Sequence, residues 1–218
     1  MVGGVKMLIE KNIKEFIEET ASGNPTPGGG SVSALAGSLG GALTNMVGNL
    51  TIGKKVYDEL SNDVKEKMEA NFSELGKIIN NLTKIIDEDS TAFDGVMEAF
   101  KLPKGTDEEK KVRSNAIQEG YKKALEVPLK CGIECFKILE LQDVFANYGN
   151  VNAITDVGVG TLLSYSGLEG ALFNVTINLK SIKDLEYKKE IEEKVNTLLK
   201  NGKRLKEELL EVVYRRLG

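Results

Sequence analysis

The chain has 218 residues, 41% hydrophobic and 28% charged, with a net charge of -4 and a pI near 5.2. This balance fits one globular domain over residues 1–218 with a sizeable core. It argues against a disordered chain and against a nucleic-acid binder, which needs a basic face. There is no histidine, so Ser-His-Asp and Cys-His machinery is excluded, and acid–base chemistry falls to carboxylate, lysine, tyrosine or cysteine.

The N-terminal stretch MVGGVKMLIEKNIKEF turns charged too early to hold a signal-peptide core, which predicts a cytoplasmic protein. Leu8, Ile9, Ile13, Phe16 and Ile17 then outline a first helix, closed by Ala-Ser-Gly-Asn-Pro at 21–25. Three glycines follow Pro27, and Ser31 is placed to cap a second helix running to about Leu50. Its large apolar stripe is Val32, Leu35, Leu39, Leu43, Met46 and Leu50.

From Ala21 to Gly53 no side chain is charged. A membrane span needs about 20 predominantly apolar residues, and Gly37, Ser38, Gly40, Gly41, Thr44, Asn45, Gly48 and Asn49 dilute this one. Gly48 to Lys54 has the spacing of a phosphate loop, but Lys55 replaces the metal-binding hydroxyl and no strand precedes it. What remains is a stripe of small residues, Gly30, Ala34, Gly37, Gly41, Thr44, Gly48 and Thr51. A second runs through Gly160, Ser164, Gly167, Ala171, Asn174 and Asn178. Such faces allow close approach of a helix or of a flat ligand.

Met68, Phe72, Leu75, Ile79, Leu82, Ile86, Asp89, Phe93, Val96 and Phe100 predict one long helix with a heptad seam about 50 Å in length. Asp89 is its single charged member, so its carboxylate is expected to be buried and either paired or functional. Asp87 and Glu88 are expected in solvent. Pro103 and Gly105 end this helix, and Thr106 to Glu109 is a capping box opening the next. Pro128 is expected to kink or divide that segment. Cys131 and Cys135, four apart, share one helix face. Without histidine they make no tetrahedral zinc site, so they read as buried reduced thiols and no metal is expected.

Residues 146–152 read as a loop, Asp156 as a cap for a helix ending near Leu179, and Ser181 as the start of a final amphipathic helix to Leu217. Its inward residues are Ile191, Val195, Leu198, Leu205, Leu209 and Val212. The fold class is all-α, a bundle of about five to seven mostly long helices. Lys54 and Lys55 suit the negative end of the second helix, or an anionic partner such as Asp89. The segment Pro27, Gly28, Gly29, Gly30 and Ser31 exposes backbone N–H groups, from Gly28 onward, at a helix start where a carboxylate or polarised oxygen can sit.

Several blocks in order carry a family resemblance: ASGNPTPGGGSVSALAGSLGGAL at 21–43, NLTIGKKVY at 49–57, DEDSTAFDGVMEAFKLPK at 87–104, ALEVPLKC at 124–131, NVNAITDVGVGTLL at 150–163 and GALFNVTINL at 170–179. Together they resemble the cyclodeaminase/methenyltetrahydrofolate cyclohydrolase family. The resemblance implies a cyclodeaminase-like, dimer-forming helical fold that takes a tetrahydrofolate one-carbon derivative as substrate, with no separate cofactor. Bifunctional relatives carry an upstream formiminotransferase domain, and its absence here favours methenyltetrahydrofolate cyclohydrolase activity. Formiminotetrahydrofolate cyclodeaminase, releasing ammonia, is the alternative, and a non-catalytic helical scaffold is the rival from another class. Relatives tend to have Ser-Asp-Ala where this chain has Thr155-Asp156-Val157, so Asp156 is carried over as substrate-binding. Asp89 and Lys54 are the expected catalytic pair. Pro27 to Ser31, Asn174 and Asn178 are expected to bind substrate, and no metal, nucleic acid or membrane is implied.

Overall fold

The computed structural model describes residues 7–218, so Met1 to Lys6 of the charged N-terminal stretch lie outside the described residues. A 3-10 turn, Leu8–Glu10, precedes nine α-helical segments: α1 Ile13–Thr20, α2 Gly29–Asn49, α3 Lys55–Asp58, α4 Asn62–Thr91, α5 Asp94–Lys101, α6 Asp107–Leu141, α7 Asp143–Tyr148, α8 Ile154–Leu179 and α9 Leu185–Leu217. No strand occurs among the described residues. The all-α expectation holds, and seven of the nine segments are eight residues or longer.

The first expected helix is instead two pieces, because the Asn12 side chain accepts the Glu15 amide and starts a fresh helix after Lys11. Of its predicted apolar residues, Leu8 is buried and Phe16 packs on the core, while Ile13 and Ile17 are exposed.

The second helix buries its small-residue face and turns its large apolar one outward. Val32, Leu39, Met46 and Leu50 of its large apolar stripe are exposed, whereas Gly30, Ala34, Gly37, Gly41, Thr44 and Gly48 are buried. The reason is distance of approach. A Cβ on Gly40 would sit 2.8 Å from the Gly160 carbonyl oxygen, and one on Gly167 would sit 2.8 Å from the Ser33 carbonyl oxygen. α2 and α8 therefore cross antiparallel at backbone contact, α2 packing also on α4 and α6 and α8 also on α6. Inside this crossing Gln142 donates to the Thr44 hydroxyl at 2.7 Å, and its carbonyl oxygen meets the Thr161 hydroxyl at 3.1 Å. All three are fully buried and satisfied.

The long seam helix stops earlier than its heptads suggest. Met68, Leu75, Leu82 and Ile86 are buried as expected, but α4 ends at Thr91 and the chain turns at Ala92–Phe93 before α5 begins. Phe93 and Phe100 are consequently exposed, and Val96 alone of that group reaches the interior. Asp87 is not a solvated residue either: its carboxylate accepts the Leu8 amide and anchors the N-terminal turn to α4. Glu88 is exposed and faces Lys130 at 3.5 Å.

The capping box at Thr106–Glu109 forms as predicted. Pro128 does not divide the helix it starts, since α6 runs 35 residues through it with the proline ring buried. Cys131 and Cys135 on that helix are buried free thiols. The Cys131 sulfur hydrogen-bonds Cys135, which together with burial pushes the Cys135 thiol well above its ordinary range. The loop expected at 146–152 is short. α7 reaches Tyr148, and a 3-10 turn at Val151–Ala153 leads straight into α8. Asp156 consequently lies within the first turn of α8 instead of capping it. α9 starts at Leu185, capped by Asp184 rather than by Ser181, and buries Ile191, Val195 and Leu209.

Candidate active site

Four chain segments meet at one end of the α2–α8 pair: the 25–30 turn, the end of α4, the 121–124 turn of α6 and the last turns of α8. Between them lies a pocket of about 290 Å³ lined by Pro25, Thr26, Gly28, Gly29, Gly30, Asp89, Ser90, Ala92, Phe93, Ala124, Asn174 and Asn178. Asp89 is the only ionisable side chain in that lining.

The geometry explains why each residue type is needed. α2 opens at Gly28 without any side chain of its own to cap it. Asp89 brings a carboxylate to that helix start from α4, accepting from the Ser31 hydroxyl at 3.1 Å on Oδ2. A Cβ on Gly30 would fall 2.0 Å from Asp89 Oδ1, so glycine is what lets the carboxylate reach the helix start. Burial pushes the Asp89 carboxyl above the usual aspartate range, against the opposing pull of the Ser31 hydroxyl and amide. Asp89 is half-buried, its remaining surface turned to the pocket.

Across the pocket, Asn174 lies against the bare Gly29, its amide nitrogen 3.4 Å from where a Cβ would be. That nitrogen donates to the Gly170 carbonyl at 2.9 Å, which orients the side-chain oxygen as an acceptor. Asn178 lines the same wall one turn on. Pro128 has no N–H to give the Ala124 carbonyl four residues back, so a backbone acceptor without its normal helical partner adjoins the pocket wall.

The structure thus gathers Asp89, Gly28, Gly29, Gly30, Asn174 and Asn178. Pro27 is buried behind the turn and Ser31 is buried beneath Asp89, so they support the pocket without lining it. Lys54 and Asp156 lie elsewhere within the chain. Lys54 follows the C-terminal end of α2, about 30 Å of helix rise from Gly29. Asp156 stands 18 residues before Asn174 on α8, about 27 Å away. Both belong to the far end of the α2–α8 pair. Ser90, Ala92 and Ala124 are pocket residues that sequence periodicity did not single out, and Phe93 is one that it placed elsewhere. The seam pattern assigned Phe93 to a core because nothing local marks the turn at Ala92.

A family model described as Formiminotransferase-cyclodeaminase matches residues 12–197. The chain belongs to that family. It is 41% identical over 203 residues to a methenyltetrahydrofolate cyclohydrolase of Methylorubrum extorquens, covering 93% of this chain and 96% of that one. A formimidoyltransferase-cyclodeaminase of Gallus gallus is 36% identical over 91% of this chain, which spans 36% of the length of that larger protein. A crystal structure of formiminotetrahydrofolate cyclodeaminase from Thermotoga maritima superposes with a TM-score of 0.74 at 28% identity, covering 95% of this chain and 96% of that one. Family membership accords with the all-helical fold.

Proposed function

We propose that this protein is a methenyltetrahydrofolate cyclohydrolase, opening the methenyl bridge with water to give formyltetrahydrofolate. The observation that carries this reading is a single carboxylate, Asp89, in a pocket otherwise lined by glycine, amide, hydroxyl and apolar groups. A methenyl bridge is a flat amidinium cation, and a lone, partly desolvated carboxylate complements it. The extensive similarity to the Methylorubrum extorquens cyclohydrolase supports the same choice.

In this reading the Asp89 carboxylate removes a proton from water as the oxygen bonds the bridge carbon, which discharges the cation into a neutral carbinolamine. The protonated Asp89 then delivers its proton to the departing ring nitrogen while the carbinolamine hydroxyl gives up its own. The bridge nitrogen–carbon bond breaks, the formyl group remains on the other nitrogen, and one proton leaves to solvent. A carboxyl raised above the ordinary aspartate range serves both steps better than a strongly acidic one. Asn174 and Asn178 bind the polar edge of the pterin, and the amides of the 28–30 turn face the substrate's oxygen. Water is the only other reactant, so the reading calls for no cofactor or metal.

The enzyme is further read as a cytoplasmic homodimer. The apolar stripe that α2 turns outward is matched by Val159, Leu162, Phe173 and Ile177 on α8, with Phe173 at 65% exposure. Two helices side by side make a face on the order of 600 Å², the upper range of what a monomer leaves bare. Docked two-fold with α2 against a second α2, the Lys54 and Asp156 end of one copy lies over the Asp89 pocket of the other. There Lys54 steadies the departing ring nitrogen by a hydrogen bond as Asp89 protonates it, or anchors the acidic tail of the folate, and Asp156 binds substrate.

The test is the near-ultraviolet absorbance of methenyltetrahydrofolate, which should decay well above its spontaneous rate when enzyme is added. No acceleration, with ammonia released from formiminotetrahydrofolate instead, would transfer the chain to the cyclodeaminases, as the Thermotoga maritima neighbour and the Gallus gallus relative are named.

A further inference from the structure

Phe93 sits in the turn between α4 and α5, one helical turn beyond Asp89, and lines the same pocket. It is 43% exposed although the seam pattern would bury it, which leaves its ring open to the pocket it lines. The ring is nonetheless held. Tyr121 of α6 meets it edge-to-face, with centroids 6.3 Å apart and planes at 78°. The neighbouring residue, Ala92, lines the pocket without adding bulk.

Resting on the folate reading above, we propose that Phe93 is the aromatic surface on which the cationic one-carbon ring system lies, with Tyr121 as its positioning residue. The negative face of a phenyl ring attracts a delocalised cation within about 6 Å of its centroid. Asp89 and Phe93 then address the same positive charge from two sides, one through a carboxylate and one through a ring quadrupole. This assigns Phe93 a part in specificity. Hydrolysis removes the charge, so the attraction that favours substrate is gone once product forms. The neutral formyl compound leaves a site built for its cationic precursor.

The full-length enzyme tests this with Phe93→Leu, Phe93→Trp, Tyr121→Leu and Tyr121→Phe, each first shown to retain the wild-type helical circular dichroism and a cooperative melt. Phe93→Leu should lower kcat/KM for methenyltetrahydrofolate about tenfold, chiefly through KM, while Phe93→Trp keeps it. Inhibition by neutral tetrahydrofolate should change less than about threefold between wild type and Phe93→Leu, since a neutral ring loses only apolar contact. Tyr121→Leu should reproduce part of the loss and Tyr121→Phe none of it. A folded Phe93→Leu enzyme with undiminished kcat/KM overturns the assignment. So does an equal loss of affinity for neutral and cationic ligands, which would make Phe93 ordinary packing. Failure of the underlying reading shows differently: wild type itself neither binds methenyltetrahydrofolate nor accelerates its decay, and the role of Phe93 falls with it.

Discussion

At the residue scale, Asp89 does two jobs that pull its proton affinity in opposite directions. As the acceptor of the Ser31 hydroxyl at the start of α2 it is best ionised, whereas its burial favours the protonated form, and burial wins. The folded protein therefore holds the Asp89 proton more tightly than the unfolded chain does. That contribution to stability is full below the ordinary carboxylate range and is lost as pH rises through the folded value. Asp89→Asn should then melt at a higher temperature than wild type at neutral pH, with the advantage fading in acid. The same variant should lose methenyl hydrolysis by about 100-fold or more, the usual worth of a positioned base. Wild-type rates should fall as pH is lowered, at a pH above that of a typical aspartate. Differential scanning calorimetry and absorbance assays across pH read both effects, and an Asp89→Asn enzyme of normal turnover would remove Asp89 from the chemistry. Asp89 was legible in the sequence because one charge in a greasy heptad has to be explained. Its partner was not: the Ser31 contact joins residues 58 positions apart, and capping logic assigned Ser31 to its own helix.

At the scale of elements, the small-residue stripes are contact faces, as their spacing suggests, although the ordinary rule that bulk seeks the core would turn the large apolar stripe of α2 inward. Backbone proximity overrides that rule, because two helices touching at Gly40 and Gly160 leave no room for anything larger. A matched pair of substitutions separates this cause from helix propensity. Gly40→Ala should cost about 1–3 kcal/mol as an overpacked contact, its Cβ falling 2.8 Å from the Gly160 oxygen and 2.3 Å from Ser164 Oγ. Gly76→Ala, mid-helix in α4 with open space around it, should gain about 0.5–1 kcal/mol. Urea unfolding of both would decide, and equal shifts of the same sign would refute the account. The turn at Ala92–Phe93 was not legible at all. The apolar register continues through the break from Asp89 to Phe93 and Val96, so periodicity alone runs the helix on, whereas α5 leaves it to dock on α6.

At the scale of the whole molecule, the proposed function divides the site between the two ends of the α2–α8 pair. The pocket with Asp89 occupies one end of the α2–α8 pair, and Lys54, which makes no ion pair among the described residues, occupies the other. Two-fold docking through the exposed stripes predicts a dimer by sedimentation, and Leu39→Glu with Leu162→Glu should give monomers without activity. It also predicts complementation. Asp89→Asn and Lys54→Met proteins, each inactive alone, should recover about a quarter of wild-type activity when unfolded and refolded together, since half the dimers then hold one intact site of two. Absence of recovery would confine each site to one chain. The thiol pair on α6 offers a separate gauge of the same molecule. Cys131 and Cys135 lie beneath the α2–α8 crossing, where a Cβ on either Gly37 or Gly167 would touch the Cys135 sulfur. An alkylating reagent reaches them only when the helices part, so the pace of iodoacetamide capture is a clock for how often the centre of the bundle opens, and ligand occupancy should slow it.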